Sequence, residues 1–188
     1  RIVPSGSLHS WSACCVTDQY NLDTRALNRV LSVDKKNKRI KAEAGIYLKD
    51  LFAEMRKNDM AFPVMPNIDV ITLRGAVCNS THGSSIKYGT FCSLVTEIEI
   101  LDANGKLWKL PRESQDPQIR RYFDAALVSF GVLGVIYSIT MQCTEDFNMF
   151  LTLSTMPWTD FKSKLVKVVN DYDTIQINRI GSLACIRT

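Results

Sequence analysis

Ser5-Gly6-Ser7-Leu8-His9-Ser10-Trp11-Ser12 follows directly on Arg1-Ile2-Val3-Pro4. The four leading residues read as the end of a strand, and the small residues after them as a loop. Gly6 and Ser7 at such a point let backbone N–H groups come close to an anion, as in a nest. A second stretch, from Thr72 to Gly89, has the same character. Within it, Ser80-Thr81-His82-Gly83-Ser84-Ser85 places four hydroxyls and a glycine in six residues. If folding brings the two loops together, they grip a pyrophosphate from both sides without a lysine. Neither carries the Walker pattern or Gly-x-Gly-x-x-Gly, which sets aside the P-loop and Rossmann solutions. On spacing alone, a Ser/Gly loop is as readily an ordinary turn as a phosphate site.

Outward from these loops the chain alternates strands with a few helices. Arg39 to Ala44 alternates its faces and stops at Gly45, while Tyr47 to Asn58 puts Leu48, Leu51, Phe52 and Met55 at helical spacing. Leu94 to Leu101 and Lys106 to Leu110 read as a hairpin around Asp102-Ala103-Asn104-Gly105. Asp116 to Ser129 reads as a helix stopped near Gly131, and Val132 to Gln142 as a strand. After the polar Thr144-Glu145-Asp146 come a strand over Phe150 to Met156 and an amphipathic helix over Trp158 to Asn170. Two more strands, Thr174 to Ile180 and Ser182 to Thr188, follow them. Hairpin links and few helices predict an α+β fold rather than a doubly wound parallel sheet.

Composition narrows the function classes. With 188 residues, 46% hydrophobic and 22% charged, the chain is globular in character rather than disordered or fibrous. The apolar run at Val132 to Ile136 is too short to span a bilayer, and no secretory leader is visible. The net charge of +4 is partly local to Asp34-Lys35-Lys36-Asn37-Lys38-Arg39, a solvated turn between strands. One turn is not the basic surface a nucleic acid needs, so a nucleic-acid partner is not expected. Six cysteines (Cys14, Cys15, Cys78, Cys92, Cys143 and Cys185) and two histidines show no metal-ligand spacing. Most of the cysteines are expected to be small buried hydrophobes of a reducing compartment, which favours a cytoplasmic location over secretion.

A collinear set of motifs goes further. Gly6-Ser7-Leu8-His9-Ser10-Trp11-Ser12, Thr17-Asp18, Asn28-Arg29-Val30-Leu31 and Ala42-Glu43-Ala44-Gly45-Ile46 lead it. Thr72, Gly75, Thr81-His82-Gly83, Asp102-Ala103-Asn104-Gly105 and Leu133-Gly134-Val135-Ile136 continue it in order. Over residues 1 to 143 this resembles the sugar-1,4-lactone oxidases (L-gulonolactone and D-arabinono-lactone oxidases) and the related alditol oxidases. These have the vanillyl-alcohol oxidase/p-cresol methylhydroxylase (PCMH) type of FAD-binding fold.

The resemblance implies an FAD-binding domain over residues 1–145, lacking an upstream βα segment, and the beginning of a substrate-capping domain over 146–188. It implies that FAD is contacted by Gly6, Ser7, Leu8, His9, Ser10, Thr72, Gly75, Ser80, Thr81, Gly83, Ser84, Gly134 and Ile136. His9 stands at the position bonded through a ring nitrogen to the flavin 8α-methyl, a role suited to a nucleophilic neutral imidazole. Such a link anchors the cofactor and tends to raise its potential. His82 falls in the second loop, where a structural imidazole is expected. Arg74, Ser80 and Ser85 stand where relatives commonly have glycine, which puts the fit of the pyrophosphate in question.

The implied reaction moves a hydride from the carbinol carbon of a sugar-type small molecule to flavin N5, with O₂ or another acceptor reoxidising the flavin. No catalytic residue and no metal ligand is assigned within the chain. Several relatives are membrane-associated, although nothing in this segment encodes an anchor. The alternative is an FAD-binding or structural module without turnover.

Overall fold

The computed structural model describes residues 2–188. Its centre is a five-stranded antiparallel sheet built from β3 (Val30–Asp34), β4 (Arg39–Glu43), β6 (Val95–Leu101), β7 (Leu107–Pro111) and β8 (Val135–Gln142). The order is β3-β4-β8-β6-β7, so the last of these strands in the chain takes the central position. In β4 and β6 the period of two is plain: Ile40, Ala42, Ile98 and Ile100 enter the core. The opposite face carries charge. Lys41 lies 2.7 Å from Glu99 and 3.7 Å from Glu97, and Ser138 donates to Glu99. A register shift in the β6–β8 pairing lets Ile136 and Ile139 both face the core although they are three residues apart.

Helices close the core side. Helix α1 (Leu48–Arg56) buries Leu48, Leu51 and Met55, as its spacing requires. Helix α3 (Pro117–Leu127) starts with Asp116 accepting from the Gln118 N–H, has proline in its first turn, and buries Phe123 and Ala126. The short pair β5 (Met60–Ala61) and β9 (Thr144–Glu145) closes one margin. Between the helices, Phe62 meets Phe52 and Phe91 edge-on, with ring centroids 6.1 and 5.2 Å away.

Three features depart from the sequence reading. Thr72 to Gly89 is not all loop: Leu73–Cys78 is a helix, α2, capped by the Thr72 hydroxyl, which accepts from the Gly75 N–H at 3.2 Å. Leu73, Arg74, Ala76, Val77 and Cys78 are all buried, so α2 has no polar face to generate a helical period. Strand β1 (Ile2–Ser5) pairs in parallel with β2 (Tyr20–Asp23), whose residues are exposed and show no alternation to read. Among the cysteines, all free, Cys78, Cys92 and Cys143 are buried, but Cys14, Cys15 and Cys185 are half-exposed. Burial pushes the Cys143 thiol up to about 12, which keeps it neutral in the core.

After Asp146 the chain forms a second antiparallel sheet of order β10-β12-β11, from β10 (Leu153–Pro157), β11 (Gln176–Ile180) and β12 (Leu183–Arg187). Helix α4 (Trp158–Asp171) packs on it around Phe161, Ala184 and Ile186, an apolar cluster of its own. Phe150 is 98% exposed, and Leu153, Val166 and Ile180 are largely exposed with it. Among the described residues no helix is long and apolar enough to cross a membrane.

Candidate functional site

Ser5 ends β1 with its side chain buried, and the chain turns through Gly6 and Ser7 across the face of α2. The approach is close enough that a Cβ built on Gly6 would lie 2.3 Å from Thr72 Oγ1. Only glycine fits there. The β1 loop and the α2 segment, some seventy residues apart in sequence, therefore touch.

Between them lies a cavity of about 140 Å³. Gly6, Ser7, Leu8, His9 and Ser10 form one wall; Thr72, Gly75 and Thr81 belong to the other, with Asn79 beside them. A pocket that encloses a drug-sized ligand is roughly 300–1,000 Å³, so this one has room for only part of such a ligand. Leu8 holds a left-handed backbone (φ 56°) and is exposed, as is His9.

Ser80, Gly83, Ser84, Gly134 and Ile136 are not on the cavity wall. Ser80 is left-handed (φ 51°), with its hydroxyl 3.1 Å from that of Thr90. A Cβ on Gly83 would meet the Met65 carbonyl oxygen at 2.6 Å. The Ser84 carbonyl accepts from Ile175 N–H at 3.0 Å, and Lys87 pairs with Asp173, so this loop is tied to the C-terminal segment. Ser85 accepts from the Lys87 N–H, and exposed His82 has Nδ1 3.0 Å from the Gly83 carbonyl oxygen. Gly134 has φ 145°, and a Cβ on it would fall 2.3 Å from the Leu101 carbonyl oxygen. Ile136 is fully buried in the main core. For these two, packing of the sheet already accounts for the residue type.

Eight further wall residues escaped the sequence reading as site residues, among them Arg74, Cys14, Cys15 and Phe130. The two thiol sulfurs are 3.8 Å apart in the 3₁₀ turn Ala13–Cys15. The hydroxyls of Ser12 and Ser10 hold the Cys14 thiol below its ordinary value, whereas burial raises that of Cys15. Arg74 is the surprise. It is 5% exposed, and its Nε has no hydrogen-bond partner. The side chain that stands at position 74 in place of glycine brings a positive charge to the cavity wall. An orphaned buried cation on a small cavity suits a diphosphate, and so do the close-set glycines. The residues present fit the charged middle of FAD.

Comparison with known proteins shows the family. The L-gulonolactone oxidase of Bos taurus is 32% identical over 174 residues, covering 93% of this chain and 37% of that protein. A putative D-arabinono-1,4-lactone oxidase of Neurospora crassa is 32% identical over 149 residues, covering 79% of this chain and 26% of that protein. An L-gulono-1,4-lactone dehydrogenase of Mycobacterium tuberculosis is 28% identical over 149 residues, covering 79% and 33%. The chain thus spans a little over a third of the length of the first of these relatives, and less of the other two. The crystal structure of cholesterol oxidase from B. sterolicum superposes over 100% of this chain and 39% of that one, with a TM-score of 0.85 at 21% identity, a likeness of fold. Residues 1–111 match the model of the FAD binding domain family, and the chain belongs to that family, in an α+β fold of the PCMH type.

Proposed function

We propose that the whole protein is an FAD-linked oxidoreductase that oxidises a carbinol carbon of a sugar-1,4-lactone. The observation that carries this is the meeting of the Gly6–Ser10 loop and the Thr72–Thr81 segment on one cavity, in a chain similar to enzymes named for gulonolactone and arabinono-lactone. FAD held there would supply the hydride acceptor for the carbinol carbon, with O₂ or another acceptor reoxidising it. The backbone at Gly6 and Ser7 and the hydroxyls of Thr72 and Thr81 hold the diphosphate. Residues 146–188 are the beginning of the substrate-capping unit, with the ties at Ser84 and Lys87 setting its position against the second loop. His9 carries the flavin covalently through a ring nitrogen.

The test is the visible spectrum of the purified full-length protein before and after acid precipitation. With wild type, yellow colour is expected to stay in the pellet; with His9→Ala it is expected in the supernatant, because the diphosphate contacts do not use the imidazole. Bleaching of the bound flavin by L-gulono-1,4-lactone then tests the substrate class. A colourless wild-type pellet from a yellow protein refutes the linkage alone. Bound flavin that no lactone or polyol reduces leaves a binding module without turnover.

A further inference from the structure

Among the described residues, Arg74 stands out as a buried charge without an answer. Its residue is 5% exposed, its Nε is orphaned, and among the described residues no Asp or Glu pairs with it. The other buried charged side chain, Glu43, is met by Arg29 at 2.7 Å. Nor is Arg74 a stray side chain folded into spare volume. Gly131, with φ 81°, leaves the room it occupies: a Cβ there would lie 2.7 Å from Arg74 Nη2 and 2.7 Å from Pro4 Cγ. Its charge is felt by the thiols of Cys15 and Cys78, which share the same cavity. A buried guanidinium without a counter-charge lowers stability. It persists in a fold where something else supplies the anion.

We propose that Arg74 binds a diphosphate in this cavity, giving the site a cationic ligand that the backbone donors of the glycine loop do not supply. A guanidinium offers a planar fork of donors to phosphate oxygens, and inside a low-dielectric wall such contacts are strong. For the ligand being FAD, this rests on the flavin reading above; for the chemistry, a diphosphate dianion, it does not. Position 74 then tunes how tightly the cofactor is held and makes that grip sensitive to salt.

The experiment uses full-length protein carrying His9→Ala, so that flavin is exchangeable, compared with the same protein also carrying Arg74→Met or Arg74→Gln. The apoproteins are titrated with FAD, by flavin fluorescence, and with inorganic pyrophosphate, by calorimetry; their melting is followed without ligand. Both neutral variants are expected to weaken FAD and pyrophosphate about 10- to 100-fold, the scale of hydrogen bonds to a charged group. Unliganded, they are expected to melt at the parent's temperature or above it, because an uncompensated charge has been removed. FAD binding within twofold of the parent, with the ligand-free variants melting lower, overturns the proposal and makes Arg74 a structural residue. Failure of both variants to fold overturns it equally. A parent that binds pyrophosphate but not FAD refutes the flavin reading and leaves Arg74 to be judged by pyrophosphate alone. A parent that binds neither refutes both.

Discussion

Gly6→Ala presses one loop of the site into the other. The new Cβ would sit 2.3 Å from Thr72 Oγ1, 3.2 Å from its Cγ2 and 3.3 Å from its Cβ. Thr72 has little freedom to yield: it is fully buried, β-branched, and its hydroxyl caps α2 by accepting from Gly75 N–H. Overpacking of this kind costs about 1–3 kcal/mol. Thr72→Ala removes the two nearest of these atoms, Oγ1 and Cγ2, together with the cap, a loss of about 1 kcal/mol. In the double variant only the 3.3 Å contact with Cβ remains, so the costs are expected to fall short of additive by about 1–2 kcal/mol, a coupling typical of residues in contact. Urea unfolding of the four apoproteins, read as shifts in midpoint at constant slope, measures it. Strict additivity would refute the claim that the two loops abut, and with it the single anion cavity.

Two other outcomes follow from the same structure. Gly45→Ala would put a Cβ 1.8 Å from the Thr24 carbonyl oxygen and 2.9 Å from that of Leu27; both obstacles are backbone, so about 3 kcal/mol or more is expected, seen as a collapse of soluble yield or of the melting temperature. The Arg29 guanidinium, with its backbone N–H, holds the buried Glu43 carboxyl below its usual value. That interaction stabilises the fold fully above the ordinary carboxylate range and is lost as pH falls through the lowered folded value. Urea midpoints taken from about pH 6 down to about pH 3 should therefore drop less steeply in Glu43→Gln than in wild type.

How much was legible depended on whether an element has two unlike faces. Helix α1 and the β6–β7 hairpin each bury one side and wet the other, so Leu48, Leu51 and Met55, or Ile98 and Ile100, announce them. Helix α2 is enclosed and shows no period, while β2 is exposed and shows none either. The sheet order was out of reach, because nothing local in Val135–Gln142 says that it pairs with both β4 and β6. At the site, the glycines and hydroxyls were readable as one loop type repeated. Arg74 was visible only as a departure from glycine, since its charge acquires meaning from burial without a partner. Gly134 and Ile136 carried the opposite ambiguity: a motif position and a packing position look alike in sequence, and here packing against Leu101 and Ile100 accounts for both residue types.

The place of Val135–Gln142 in the middle of the sheet governs the order in which this chain acquires its structure. The β3–β4 and β6–β7 hairpins can each form from neighbouring residues, but no hydrogen bond of the ladder joins one to the other. Until the chain has been synthesised through residue 142, each hairpin keeps an open edge, with Ile40 and Ala42 on one and Ile98 and Ile100 on the other lacking their shared roof. Long-range pairing of this sort slows folding and exposes strand edges to other chains meanwhile. During synthesis, therefore, the glycine loop emerges before α2, and the wall that α2 gives it acquires its sheet backing only once residue 142 has followed.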